Sequence, residues 1–255
     1  MLSQFDFPTS IWLAVLGVTL LAGFVKGAVG FAMPMVMVSG LGSFLAPELA
    51  LAALILPTLI ANLAQAFRDG VAAALDAART HWRYVAIVSV FIMLSAQMVN
   101  LLPAQVLYLA IGVPVTIFAL IQLTGRRIAF HSRHQGAVSF ALGTVAGLIG
   151  GVSGVWGPPT VIYLTSMDTP KVEQLRVQGI VYGIGAVVLT TAHIGSGVLN
   201  AQTAPFSALL VVPALVGMLV GRRVSDKMDQ SRFRQATLAV LVIAGLNLVR
   251  RGLGG

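Results

Sequence analysis

Two long apolar stretches of this chain are interrupted in the same way. Gly23, Gly27, Gly30 and Pro34 space the first interruption, in GFVKGAVGFAMP, and Gly147, Gly151, Gly154 and Pro158 space the second, in GLIGGVSGVWGP. Each residue of the second set stands 124 positions after its counterpart, 147 against 23 and 158 against 34. Glycine lets the backbone bend or come close to a neighbour, and proline withholds an N–H from the helical ladder. In lipid, irregular backbone survives only where protein covers it or where it lines a cavity. Matching breaks in two apolar halves mark the kind of binding site that transporters build between discontinuous helices. The site is expected between the two breaks.

That reading needs a membrane, and composition supplies one. Of the 255 residues 57% are hydrophobic and 9% charged, with a mean hydropathy of +0.92. Soluble domains carry about 25% charged residues. The net charge of +8 does not describe a nucleic-acid binder. Apart from Lys26, Arg250 and Arg251, the lysines and arginines fall in four short loops, Arg68 to Arg83, Arg126 to Arg133, Lys171 to Arg176 and Arg222 to Arg234. Short cationic loops mark a cytoplasmic face, where they can also meet anionic lipid. Cysteine is absent, which excludes disulfides and thiolate metal sites. The start, MLSQFDF, lacks the positive region of a signal peptide, so the first apolar run is expected to be a retained span.

The expected fold is an all-α polytopic membrane protein of about ten transmembrane or half-membrane helices, five per half. The first repeat, residues 1–123, contains Ile11–Lys26 and Phe31–Leu41 around its break, then Pro47–Phe67, Tyr84–Leu101 and Ala104–Leu123. Residues 124–135 form a cytoplasmic linker. The second repeat, residues 136–255, contains Ala137–Ile149 and Val155–Ser166, then Val177–Ile194, Pro205–Val220 and Phe233–Val249. Five is odd, so the second half is inverted relative to the first. This puts loops 68–83, 125–134, 167–176 and 222–234 on one side and both termini on the other, outside.

Lys26 is the only Lys or Arg well inside an apolar segment, and its counterpart at the 124 offset is Gly150. A lysine at membrane depth costs about 2.5–3.5 kcal/mol on insertion scales and points to function, against the alternative of snorkelling to the surface. Backbone N–H groups after each break, at Gly27, Ala28, Val29 and Gly30 and at Val152, Ser153 and Gly154, are candidate anion donors. The Ser153 hydroxyl either adds to these or eases helix packing. Arg176 offers a planar fork suited to an oxyanion, or is a topology charge; Gln178 lies beside it. His193, the one histidine within a span, either couples protons or makes a structural hydrogen bond. Asn62 and Gln65 share a helix face, as do Gln97 and Asn100, and line a cavity or tie helices together. Trp156 caps the cavity or packs on the break. Gly217 and Gly221 form a small-residue packing face, while Met33 and Met35 read as core.

The two broken segments, together with LRVQGIVYGIGAVVLT and GMLVGRRVSDKMDQSRFRQATLAVLVIAGL, resemble the sulfite exporter TauE/SafE (TSUP) family over nearly the whole chain. The resemblance implies a carrier in a bacterial inner membrane moving sulfite, thiosulfate or small organosulfonates. No cofactor is expected. The sequence contains no Gly-x-x-x-x-Gly-Lys-[Ser/Thr] motif, so a gradient must supply the energy, with a proton or sodium as the coupling ion left open. A divalent metal or other cation permease is the alternative, though such sites need acidic or sulfur ligands and the one deep charge here is positive. An enzyme is not expected, since neither His-Glu-x-x-His nor Gly-x-Ser-x-Gly occurs. A homodimer is left open.

Overall fold

A computed structural model describes residues 7–97, 104–125, 135–153, 156–195 and 197–254. Among the described residues the chain is helical, with no strand. The first half holds α1 (Thr9–Val29), α2 (Met33–Leu41), α3 (Pro47–Ala66), α4 (Val71–Thr80), α5 (Trp82–Gln97) and α6 (Ala104–Leu123). The second holds α7 (Gln135–Ser153), α8 (Gly157–Ser166), α9 (Lys171–Gly195), α10 (Ala204–Leu209), α11 (Val211–Asp226) and α12 (Gln230–Gly252). Among the described residues five stretches are long and apolar enough to cross a bilayer: Thr9–Val29, Leu49–Ala66, Lys171–Gly195, Ala204–Asp226 and Gln230–Gly252. The chain is a multi-pass membrane protein. By contrast α2 and α8 have only 9 and 10 residues, about half of a ~30 Å hydrocarbon core.

The first break is shorter than the glycine spacing implied. α1 does not stop at Lys26 but runs on to Val29, straight through Gly23 and Gly27. Those two glycines serve packing. A Cβ on Gly23 would strike the carbonyl oxygen of Ala214, and one on Gly27 that of Met218. Gly217 and Gly221 on α11 meet the carbonyl oxygens of Leu20 and Phe24 in return. Backbones this close need the Cβ absent on both sides, the small-xxx-small solution to helix contact in lipid. In the other half α7 runs through Gly147 and Gly151, and Gly147 lies against Val88 and Phe91 of α5. Gly23, Gly27, Gly147 and Gly151 are therefore helical residues, and the breaks proper lie just after them.

Polar backbone exposed within the helices is satisfied by side chains. Pro57 sits inside α3 and cannot donate to the carbonyl of Ala53. The Ser207 hydroxyl from α10 donates to that oxygen at 3.3 Å and accepts from the Leu56 N–H at 3.1 Å. Elsewhere the charged segments gather. Arg68 pairs with Asp226 at 2.6 Å, Arg176 with Asp69 at 3.2 Å, His81 with Glu173 at 3.1 Å and Arg234 with Asp168 at 2.9 Å. These contacts bring the segments near 68–81, 168–176 and 222–234 to one face.

Three of the expected loops are helical there. Residues 71–80, VAAALDAART, form α4 because alanine-rich sequence favours helix and Ala74 and Ala77 bury against α9. α9 begins at Lys171, six residues before the expected span, and α11 carries Arg222 and Arg223 to Asp226. Charge marks where a helix leaves the lipid, not where it ends. The linker between Gly125 and Gln135, with His131 and His134, lies outside the described residues, as do Asn100 and the side chain of Gln97.

Candidate anion site between the two helix breaks

The first break is three residues long. Gly30 closes α1 in the left-handed region, φ 85°, its N–H donating to the Lys26 carbonyl at 2.7 Å. Ala32 then starts α2 at φ 73°. A left-handed alanine costs about 1–2 kcal/mol, a strain that marks functional backbone more often than scaffold. Pro34 has no N–H, so Met33 and Met35 carry the orphan donors of the first turn. The second break lies between Ser153, the last residue of α7, and Trp156, which precedes α8. Pro158 and Pro159 leave Gly157 as the orphan donor there. The expected donors Gly27, Ala28, Val29 and Gly30 are thus spent within α1 and its cap. The side chain of Ser153, and Gly154 altogether, lie outside the described residues.

The two breaks meet. A cavity of about 20 Å³ lies between them, room for about one water. Phe31, Ala32, Pro34 and Met35 line it from the first break, Trp156 and Gly157 from the second, and Lys26, Asn62 and Tyr182 complete it. Lys26 is 2% exposed. Its ammonium donates to Gln65 Oε1 at 2.8 Å, reaches the Gly30 carbonyl at 3.5 Å and lies 5.6 Å from the centre of the Tyr182 ring. None of the ion pairs among the described residues includes it. Neutral dipoles and a ring face hold this cation, which does not snorkel.

Around it, α3 and α9 are tied by amides. Gln65 Nε2 donates to the Leu175 carbonyl at 2.8 Å and Asn62 Nδ2 to the Tyr182 carbonyl at 3.1 Å. The Tyr182 hydroxyl donates to the Gly157 carbonyl at 3.2 Å, linking this ladder to the second break. Gln178 is fully buried, and neither of its amide atoms has a hydrogen-bond partner. It lies over Gly30, where a Cβ would strike its Oε1. Trp156 is buried beside Gly150 and Gly185, close to Tyr182.

Of the expected site residues, then, Lys26, Gly30, Asn62, Gln65, Trp156 and Gln178 converge, with Pro34 from the break. Arg176 and His193 do not line the cavity. Arg176 is committed to Asp69 in the charged cluster. His193 lies 11 residues beyond Tyr182 on α9, about 16 Å along the axis. Pro158 serves as a helix-start residue. Sequence reasoning missed Tyr182 and Phe31. The signal for Tyr182 was its place four residues after Gln178, on the same helix face.

The family model described as sulfite exporter TauE/SafE matches residues 15–248. A Cupriavidus necator protein named probable sulfite/organosulfonate exporter TauE is 26% identical over 250 residues, covering 93% of this chain and 94% of the relative. No solved structure matches.

Proposed function

This chain belongs to the sulfite exporter TauE/SafE family, and we propose that it is a secondary-active carrier of sulfite, thiosulfate or a small organosulfonate. The observation that carries this reading is Lys26: a buried ammonium without a carboxylate, on a cavity shared by both helix breaks. A cation in that setting attracts an anion, and a cation permease would have to overcome it. The anion replaces Gln65 Oε1 on the ammonium, with the amides of Asn62 and Gln178, the N–H of Gly157 and the edge of Trp156 around it.

Alternating access is proposed to come from two inverted halves, residues 1–123 and 136–255, joined by the cytoplasmic linker 124–135. Partner choice supports the pairing: α1 packs on α11 as α7 packs on α5, and α3 packs on α9 as α6 on α12. Direction supports the inversion. α3 and α6 end beside the charged face, at Arg68 and Gln122, whereas α9 and α12 begin there, at Lys171 and Gln230. That face is assigned to the cytoplasm of a bacterial inner membrane, against anionic lipid, with both termini outside. A gradient of the substrate, protons or sodium drives the cycle.

Proteoliposomes holding the purified protein test the site and the class together. Sulfite and methanesulfonate should cross and acetate should not, with flux lost in Lys26→Met. Flux that persists in Lys26→Met discards the site, and no flux of any sulfur anion refutes the reading.

A further inference from the structure

The charged face holds a second cavity, of about 260 Å³, more than ten times the space beside Lys26. Arg68, Lys171 and Arg176 line it with Asp69 and Asp226, one positive charge in excess. Its floor is Gln65, whose Oε1 holds the Lys26 ammonium at 2.8 Å and whose Nε2 holds the Leu175 carbonyl. Gln65 therefore lines the wide polar cavity and, through its bond to Lys26, also reaches the wall of the narrow central one. The lining comes from the end of α3, the start of α9 and the end of α11.

We propose that this vestibule is a second anion site on the route to Lys26, in which a small oxyanion takes the places of Asp69 on Arg176 and Asp226 on Arg68. The proposal rests on the carrier reading above and adds a stage to it. Both guanidinium groups now rest on carboxylates, Arg68 on Asp226 at 2.6 Å and Arg176 on Asp69 through two nitrogens at 3.2 and 3.3 Å. A carboxylate and a sulfonate offer the same paired oxygens to an arginine fork. Side-chain exposures of 24% to 46% let solvent and a hydrated anion reach these pairs. Lys171 stays with its carbonyl partners, Ser225 and Met228, and contributes charge from the wall. Once the anion leaves the arginines, it exchanges with Gln65 on Lys26. Gln65 is thus the door between the two stages.

A structural ion pair and an anion site make opposite forecasts for the two partners of one bridge. Arg176→Gln and Asp69→Asn both abolish the Arg176–Asp69 pair, so a merely structural role predicts the same effect from each. An anion site predicts opposite signs. Binding of sulfite and of methanesulfonate is measured by calorimetry on the full chain in detergent, in wild type and in Lys26→Met, each alone and combined with the two vestibule changes. Lys26→Met should keep a weak site, which Arg176→Gln weakens about tenfold further and Asp69→Asn strengthens. Arg176→Lys should fall between, keeping charge without the fork. No residual binding in Lys26→Met, or a shift of the same sign from both vestibule variants, overturns the second site and leaves the central one standing. Full wild-type binding in Lys26→Met, still lost in Arg176→Gln, instead removes the central site and keeps the vestibule.

Discussion

Substituting Gln65 by leucine isolates how the buried ammonium is held. The change removes the charge-assisted bond from Lys26 at 2.8 Å and the neutral bond to the Leu175 carbonyl at 2.8 Å. Hydrogen bonds to charged groups contribute about 1.5–3 kcal/mol and neutral ones about 1, so Gln65→Leu should cost about 2.5–4 kcal/mol. What remains for the ammonium is the Gly30 carbonyl at 3.5 Å and the Tyr182 ring. Adding Lys26→Met removes the stranded charge, and replacing both members of a buried polar pair with apolar groups is often neutral or better. The double variant should therefore be about 2 kcal/mol more stable than Gln65→Leu alone, a coupling that a double-mutant cycle reads directly. The assay is thermal unfolding of the four proteins in one detergent, followed by tryptophan fluorescence. At roughly 2–4 °C per kcal/mol for a chain of this size, the double variant should melt at least about 4 °C above Gln65→Leu. Effects that simply add, with the double variant melting below both singles, would refute the claim that Gln65 holds a charge.

Three further outcomes follow from the packing and the breaks. Gly30→Ala places a Cβ at φ 85° against Gln178 and Leu175, and should cost about 2–4 kcal/mol, whereas Gly17→Ala, with nothing within 4 Å, should not destabilise; melting curves of the pair check this. Gln178→Leu removes a buried amide that has no partners, so it should raise stability by about 1–3 kcal/mol while weakening methanesulfonate binding; a loss of both would show the amide to be structural. Ser207→Ala orphans the Ala53 carbonyl and the Leu56 N–H beside Pro57, and should cost about 1–3 kcal/mol in the same melting assay with sulfite affinity unchanged.

Much of this protein is legible one residue at a time. Apolar runs near the ~20 residues of a membrane span, with most charges in the short segments between them, point to membrane helices, because the other way to satisfy the backbone in lipid, a closed barrel, needs short strands of alternating hydrophobicity. The repeated spacing pointed to the place where the two breaks meet, and Lys26 stood out because a lone cation in an apolar run has no cheap explanation. Asn62 and Gln65, three apart, had to share a helix face. These conclusions need only local periodicity and the cost of burying charge.

What the tertiary structure decided is partnership. Gly23 and Gly27 read as part of a break, yet α11 lies against them and the helix continues, since a glycine bends a helix or admits a neighbour depending on what stands opposite. Arg176 and Gln178, two residues apart in sequence, were separated into a solvent-reached ion pair and a sealed, unpartnered amide. Tyr182 and Gly157, 25 residues apart, were joined across the second break. α4 was hidden in a loop marked by charge, and its place was decided by packing against α9. A sequence states which groups must be buried or satisfied, but their partners lie across the bundle, and only the packed helices bring them within the few ångströms over which hydrogen bonds and close backbone contacts act.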